Sequence, residues 1–329
     1  MSLLARGLRR RQSGGAIAVA DVFATSLYTG NQSTQTITNE IDLAGEGGLV
    51  WGKSIGVGSH FLIDTVRGIS SRLITNSTNG EQSASDITSF NSDGFALGWV
   101  GADINTSGSR VVWTFRRSPR FFDVVTYTGN GTNNRSISHA LGAAPGMVVI
   151  KALVTATQSD WITVHRSQPN KGWLRLNLDY AVADTGTDVI TFDASTFTVA
   201  PGSVPVTYYN QNAITYIAYL FAHDPDGVIQ CGSYTGNGST TGPTVTLGWE
   251  PQYLLIKNSS ATANWVIYDN ARDTSNPRTY KLFPNLGNSE DTADEDIDFT
   301  STGFQPKSTD ATINTNGNTY VYLAIKKAS

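Results

Sequence analysis

Tyr28-Thr29-Gly30-Asn31, Tyr127-Thr128-Gly129-Asn130 and Tyr234-Thr235-Gly236-Asn237 are three copies of one tetrapeptide, set 99 and 107 residues apart in a chain of 329. The flanks of each copy matter more than the copy itself. A polar Thr/Ser-rich stretch leads to an apolar strand ending in lysine. These strands are Gly48-Leu49-Val50-Trp51-Gly52-Lys53, Met147-Val148-Val149-Ile150-Lys151 and Tyr253-Leu254-Leu255-Ile256-Lys257. Their lysines lie 25, 24 and 23 residues after the tyrosines. A second strand comes next: His60 to Arg67, Trp161 to Arg166, Trp265 to Arg272. Then come an aromatic (Phe95, Phe197, Phe304), a polar turn with an asparagine (Asn105, Asn210, Asn314), and a closing strand. The closing strands are Val111-Val112-Trp113-Thr114-Phe115, Ile217-Ala218-Tyr219-Leu220-Phe221 and Val321-Tyr322-Leu323-Ala324-Ile325.

Six features in fixed order, three times over, define a tandem repeat. They divide the chain into an arm at 1–20 and units at 21–120, 121–226 and 227–329. Ser118-Pro119 and Asp224-Pro225-Asp226-Gly227 supply turn chemistry at the joints. A period of about 100 residues lets each unit own a core, so the pattern predicts a domain array and not a solenoid.

Within a unit, short runs rich in Val, Ile, Thr, Tyr, Phe and Trp are bounded by Gly, Asn, Ser and Asp. Trp161, Thr163 and His165 alternate with Ile162 and Val164, the two-residue period of a half-buried strand. No long, capped 3.6-residue apolar period occurs, and helical turns are expected at most in 79–88 and 286–295. The fold class is therefore all-β: three tandem antiparallel β-sandwiches, jelly-roll-like, behind an extended N-terminal arm.

Charged residues make up 15% of the chain and the net charge is −4. The first 20 residues carry Arg6, Arg9, Arg10 and Arg11 and no acid, which leaves the body near −8. A short cationic arm on an acidic body reads as an interaction tail. Leu3, Leu4 and Leu8 add apolar anchors to those arginines. A groove on another protein is therefore preferred over an unattached tail, with packaged nucleic acid ranked last. Ala18-Val19-Ala20 resembles a cleavage site, but the apolar stretch before it is too short for a signal peptide. With one cysteine, Cys231, no intrachain disulfide can form. No apolar run is long enough for a membrane span.

The repeated pattern is similar to repeat domains of virion structural proteins in tailed bacteriophages, especially marine and cyanobacterial ones. Asn91-Ser92-Asp93-Gly94-Phe95, Trp113-Thr114-Phe115-Arg116, Phe121-Phe122-Asp123-Val124-Val125-Thr126-Tyr127 and Ala218-Tyr219-Leu220-Phe221-Ala222-His223-Asp224 carry the resemblance. It covers residues 21–329 and not the arm. It implies a β-rich, tail-associated, fibre-like, lectin-like or capsid-decoration protein on the virion surface. It implies other virion proteins as partners and homo-oligomeric assembly, and it brings no catalytic residue and no cofactor.

The residues speak against most other chemistries. His165 stands where the other units have Asp64 and Asp269, and a type that changes between copies suits a surface or interface position better than a catalyst. Cys231 reads as a small buried hydrophobe. Glu290, Asp291, Asp294, Glu295, Asp296 and Asp298 lack the spacing of a calcium loop and read as a solvated acidic loop. No metal site and no catalytic set is expected. Trp161 and Trp265 are equivalent and read as packing residues. Trp99, Trp173 and Trp249 lie outside the shared strands and, with Tyr208 and Tyr209, are the candidates for an exposed glycan or contact surface. Host-glycan recognition is thus the alternative to a structural role.

Overall fold

The computed structural model describes residues 17–98, 104–154, 159–168, 172–184, 186, 188–199, 206–294 and 296–328. Nearly all of its regular structure is strand. The first unit holds β1 (Phe23–Gly30), β2 (Gln35–Thr38), β3 (Gly48–Ser54), β4 (His60–Asp64), β5 (Ser71–Ile74), β6 (Gln82–Ser83), β7 (Ile87–Asn91), β8 (Gly94–Leu97) and β9 (Gly108–Arg116). The second holds β10 (Phe122–Thr128), β11 (Arg135–Ser138), β12 (Pro145–Ala152), β13 (Ile162–His165), β14 (Gly172–Arg175), β15 (Ala183–Asp184), β16 (Ile190–Phe192), β17 (Thr196–Val199) and β18 (Thr215–Ala222). The third holds β19 (Ile229–Thr235), β20 (Val245–Thr246), β21 (Pro251–Asn258), β22 (Val266–Asp269), β23 (Ile297–Thr300), β24 (Gly303–Pro306) and β25 (Thr319–Lys326).

Every pairing between these strands is antiparallel, and the order repeats from unit to unit. The large sheets run β1-β9-β3-β4-β5-β6, β10-β18-β12-β13-β14-β15 and β19-β25-β21-β22. The small sheets run β2-β8-β7, β11-β17-β16 and β20-β24-β23. First pairs with last and second with penultimate, the nested pairing of a jelly roll. The third strand then continues as a meander into the fourth. Residues 79–88 and 286–295, where helical turns were expected, instead contribute the short strand β6 and an isolated bridge from Asp291 to Lys281.

The central strands of each large sheet bury both faces, and their two-residue period assigns alternate side chains to different cores. In β3, Val50 faces the small sheet with Ile37, Phe61 and Phe95, while Leu49 and Trp51 face the other way. In β21, Leu254 and Ile256 join the sandwich core of Tyr234, Val245 and Phe304, while Tyr253 and Leu255 point outward. Those outward residues do not meet water. Trp51, Trp113, Phe115, Phe122, Tyr219, Phe221, Tyr253, Leu255, Leu323 and Ile325, drawn from all three units, form one continuous apolar cluster. Phe115 lies 5.5 Å from Phe221 and 6.0 Å from Tyr253, and Trp113 lies 5.8 Å from Tyr253. The strand at 162–165 is therefore buried throughout, not half-buried, because a neighbouring unit covers its second face. The units do not stand as beads with private cores alone. Burying one large apolar side chain stabilises by roughly 1.5–3 kcal/mol, so the shared cluster binds the units strongly.

Candidate contact surface and the seams between units

The tetrapeptide that reveals the repeat is spent on the fold. Tyr28, Tyr127 and Tyr234 each donate a hydroxyl hydrogen bond to the carbonyl of Ile104, Tyr209 or Ile313, the residue just before the turn asparagine. That asparagine is buried in every unit. Asn105, Asn210 and Asn314 each accept from the backbone N–H of Asn31, Asn130 or Asn237. Their amide groups donate to the carbonyls of Ser33, Thr132 and Ser239 respectively. The glycine is required by closeness: a Cβ on Gly30, Gly129 or Gly236 would lie 1.9, 2.1 or 2.3 Å from the carbonyl oxygen of Thr106, Gln211 or Thr315. Each tetrapeptide thus locks one end of its sandwich.

A second repeated set joins the units to one another. At the end of the fourth strand, Asp64 accepts the Tyr219 hydroxyl of unit two at 2.9 Å, and Asp269 accepts the Trp113 indole N–H of unit one at 3.1 Å. Arg67 and Arg272 pair with these carboxylates through Nε at 2.7 and 2.6 Å. In unit two the equivalent residue is His165, whose Nε2 lies 3.0 Å from the carbonyl of Tyr322 in unit three. Its Nδ1 accepts from the N–H of Ser167, so Nε2 carries the proton and donates. One contacts two, two contacts three and three contacts one: the seams close a ring.

The start of the fourth strand repeats the cycle in the opposite sense. Trp161 donates to the carbonyls of Ile74 and Ser77 in unit one, and Trp265 donates to that of Arg175 in unit two. His60, the first unit's equivalent, packs beside the backbone of Phe283 in unit three. Next to these rings sit the strand-ending lysines, all three fully buried. Lys151 donates to the carbonyls of Thr78 and Ser159, and Lys257 to those of Asp179 and Asn258. Lys53 donates to Ser54 and Gly56. Burial pushes each lysine down to about 8, and for Lys53 the neighbouring Arg110 and Arg272 add to the effect.

The residues expected to form an exposed glycan surface fare differently. Trp99 and the arm residues Leu3, Leu4, Arg6, Leu8, Arg9, Arg10 and Arg11 lie outside the described residues. Trp173, Tyr209 and Trp249 are buried, which corrects the expectation of exposed rings. Trp173 packs under Tyr208, with centroids 4.9 Å apart, and Tyr209 supplies the carbonyl that anchors Tyr127. Trp249 belongs to the third sandwich core. Only Tyr208 of that set is half-exposed. Sequence reading missed Tyr180, which is exposed and stacks with Arg175; the same guanidinium lies over Trp173. No repeat pattern marks Tyr180.

The acidic run is also more than a solvated loop. Asp296 is fully buried and takes both the Lys281 ammonium at 2.7 Å and the Tyr268 hydroxyl at 2.9 Å, while Glu290 pairs with Arg272 at 2.7 Å. Cys231 is buried, and burial pushes its thiol pKa up. Trp161 and Trp265 are buried packing residues. Among the described residues no three His, Cys, Asp or Glu side chains are grouped to hold a metal ion. No described helix is long and apolar enough to cross a membrane.

A comparison with curated proteins gave no match. One family model matches from residue 18 to residue 328, across all three units and both joints. This chain belongs to the family described as a domain of unknown function, DUF7483.

Proposed function

We propose that this chain is a structural component of a tailed-bacteriophage particle, a tail-associated appendage or capsid-decoration subunit that assembles through protein–protein contacts. The resemblance of the repeat to virion proteins supports the reading. The observation that carries it is where the chain spends its repeated polar residues. Tyrosine, glycine, asparagine, lysine, aspartate and arginine of the repeat are all used to lock sandwiches or to join them into a ring. The outward faces of the strands carry many short side chains, among them Thr29, Thr38, Ser136 and Thr198. Such a body is a rigid spacer with broad faces, suited to many weak contacts that multiplicity makes strong. The basic arm supplies a tether to a neighbouring subunit, and the ring supplies the mass.

Mass spectrometry of purified source particles tests the assignment, with stoichiometric recovery of this chain expected. Its consistent absence from intact particles refutes the assignment. Deleting residues 1–16, ahead of Ile17 and Val19 that pack on the shared core, should leave a folded ring that no longer joins particles, and normal incorporation of the truncation rules out docking through the arm. Light scattering of the purified chain measures self-assembly into homo-oligomers, which belongs to this reading. The second reading, a host-glycan module, now rests on Tyr180 and Tyr208 of unit two, because their stack with Arg175 and Trp173 leaves two aromatic rings accessible. Glycan-array binding lost on Tyr180→Ala would favour it.

A further inference from the structure

We infer that acidification opens the ring at its third unit, because imidazoles are packed into both seams of that unit and none lies on the seam between units one and two. Three of the four histidines lie on those two seams. His165 reaches the Tyr322 carbonyl, His223 accepts at Nδ1 from the N–H of Cys231, and His60 sits beside the Phe283 backbone. The fourth, His139, bonds within unit two to the N–H of Leu141.

All three seam imidazoles are arranged to refuse a second proton. Each presents the Nδ1 lone pair to an N–H donor: Trp51 to His60 at 3.1 Å, Ser167 to His165 and Cys231 to His223, both at 3.2 Å. A proton on Nδ1 would face that donor, so protonation costs the hydrogen bond as well as burying a charge.

The surrounding charges add to the cost. His60 is packed between Trp51 and Trp113, with Lys53 on its own sheet and Arg272 from unit three as the nearby cations. His165 and His223 face Arg166 and each other. The anion beside His223 is Asp224, already held by Arg120 at 2.6 Å. Burial accordingly holds His165 down to about 4, and His60 and His223 below the ordinary imidazole range. Glu290, raised by burial, takes up a proton more readily when folded and offsets part of the loss.

The linkage has one sign for all three imidazoles. Their folded values lie below the unfolded value of 6.5, so their stability is full above that pH. It is lost as pH falls from 6.5 toward the folded values. At the seam between units one and two, Trp161, Arg67 and the Tyr219 hydroxyl hold their protons throughout this range.

Backbone hydrogen bonds that cross the seams report on each one separately. Val182 to Ser259 and Ala263 to Asp179 cross between units two and three. Gly58 to Gly287 and Glu290 to Ile55 cross between three and one, and Glu81 to Leu153 crosses between one and two. Residue-resolved hydrogen exchange of the full chain at pH 7.5 and 5.0, corrected for intrinsic rates, reads them directly. Amides of Val182, Ala263, Gly58 and Glu290 should lose protection by about tenfold or more, with roughly thirtyfold the ceiling for one imidazole 1.5 pH units below its unfolded value. Glu81 should keep its protection. His165→Asn preserves an acceptor for Ser167 without a titrating group, and it should remove most of the acid loss at Val182 and Ala263. Should that variant lose protection everywhere at pH 7.5, His223→Asn at the same seam serves instead. Parallel loss at Glu81, unchanged protection at all five amides, or a variant that keeps the full acid response would each overturn the inference.

Discussion

Tyr219→Phe removes one oxygen from the shared core and leaves the ring in place. Its hydroxyl donates to the Asp64 carboxylate across the seam at 2.9 Å. A hydrogen bond to a charged partner is worth about 1.5–3 kcal/mol. The low half of that range applies, because Asp64 keeps Arg67 Nε at 2.7 Å and the backbone N–H groups of Val66 and Arg67. The phenyl ring would retain its stack on Phe122, so no cavity term enters. The expected loss is about 2 kcal/mol.

How that loss shows in calorimetry depends on the size of the cooperative unit. Unfolding entropy near the midpoint is about 2.1 cal/mol/K per residue. If some 300 residues unfold together through the shared aromatic cluster, a loss of about 2 kcal/mol lowers Tm by about 3 °C in a single transition. If unit two unfolded alone, about 100 residues would absorb the same loss and its own transition would fall by about 10 °C. The continuous cluster from Trp51 through Tyr219 to Ile325 predicts the first outcome. Differential scanning calorimetry of wild type and variant decides. Two or three resolved transitions, with only one displaced by the substitution, would refute the claim that the ring is one folding unit.

The same geometry sets three further outcomes. Gly129→Ala places a methyl 2.1 Å from the Gln211 carbonyl oxygen and should cost at least about 2–3 kcal/mol in urea unfolding; Gly68→Ala, at positive φ in open space, should cost only about 1 kcal/mol. Between pH 8 and about 9.5 stability should rise, because Lys53, Lys151 and Lys257 hold fewer protons folded than unfolded. Each contributes up to ~1.4 kcal/mol per pH unit, and Lys151→Met should flatten the slope by about a third. Above about pH 10 the sign reverses, since buried tyrosines such as Tyr127 and Tyr219 keep protons that the unfolded chain releases. Finally, Cys231 should resist thiol reagents in the native protein and react at once in denaturant, as a buried thiol with a raised pKa must.

The repeat, the strands and the all-β class were legible because they are written in local patterns. The tetrapeptide, the strand-ending lysine and the paired tryptophans recur at matching positions, and each reappears as a matching contact. What could not be read was the second face of the large sheets. Leu49 and Trp51 look in sequence like half of any strand, and only the approach of two further sheets makes them core. The same blindness placed Trp173, Tyr209 and Trp249 outside, since a residue absent from the shared strands gives no sign of what covers it. Asp296 was read as solvated because its partner, Lys281, sits 15 residues upstream, brought close by a bridge no local pattern announces.

Three copies in one chain also allow a comparison that a single domain does not. At the seams opened by Asp64 and Asp269, three things occur together: the carboxylate, an arginine three residues on, and a donor on the neighbour's last strand, Tyr219 or Trp113. At the remaining seam all three differ. The carboxylate is replaced by His165, the arginine by Gln168, and the neighbour presents Leu323, which has no donor. A buried aspartate there would meet neither its cation nor its hydrogen bond, and a buried charge left unpaired costs several kcal/mol. A neutral imidazole needs neither, because it can donate to the Tyr322 carbonyl while its other nitrogen accepts from Ser167. The histidine is thus the neutral solution to a seam whose neighbour lacks a donor. The same replacement that lets the ring close there at neutral pH makes that closure depend on the imidazole staying unprotonated.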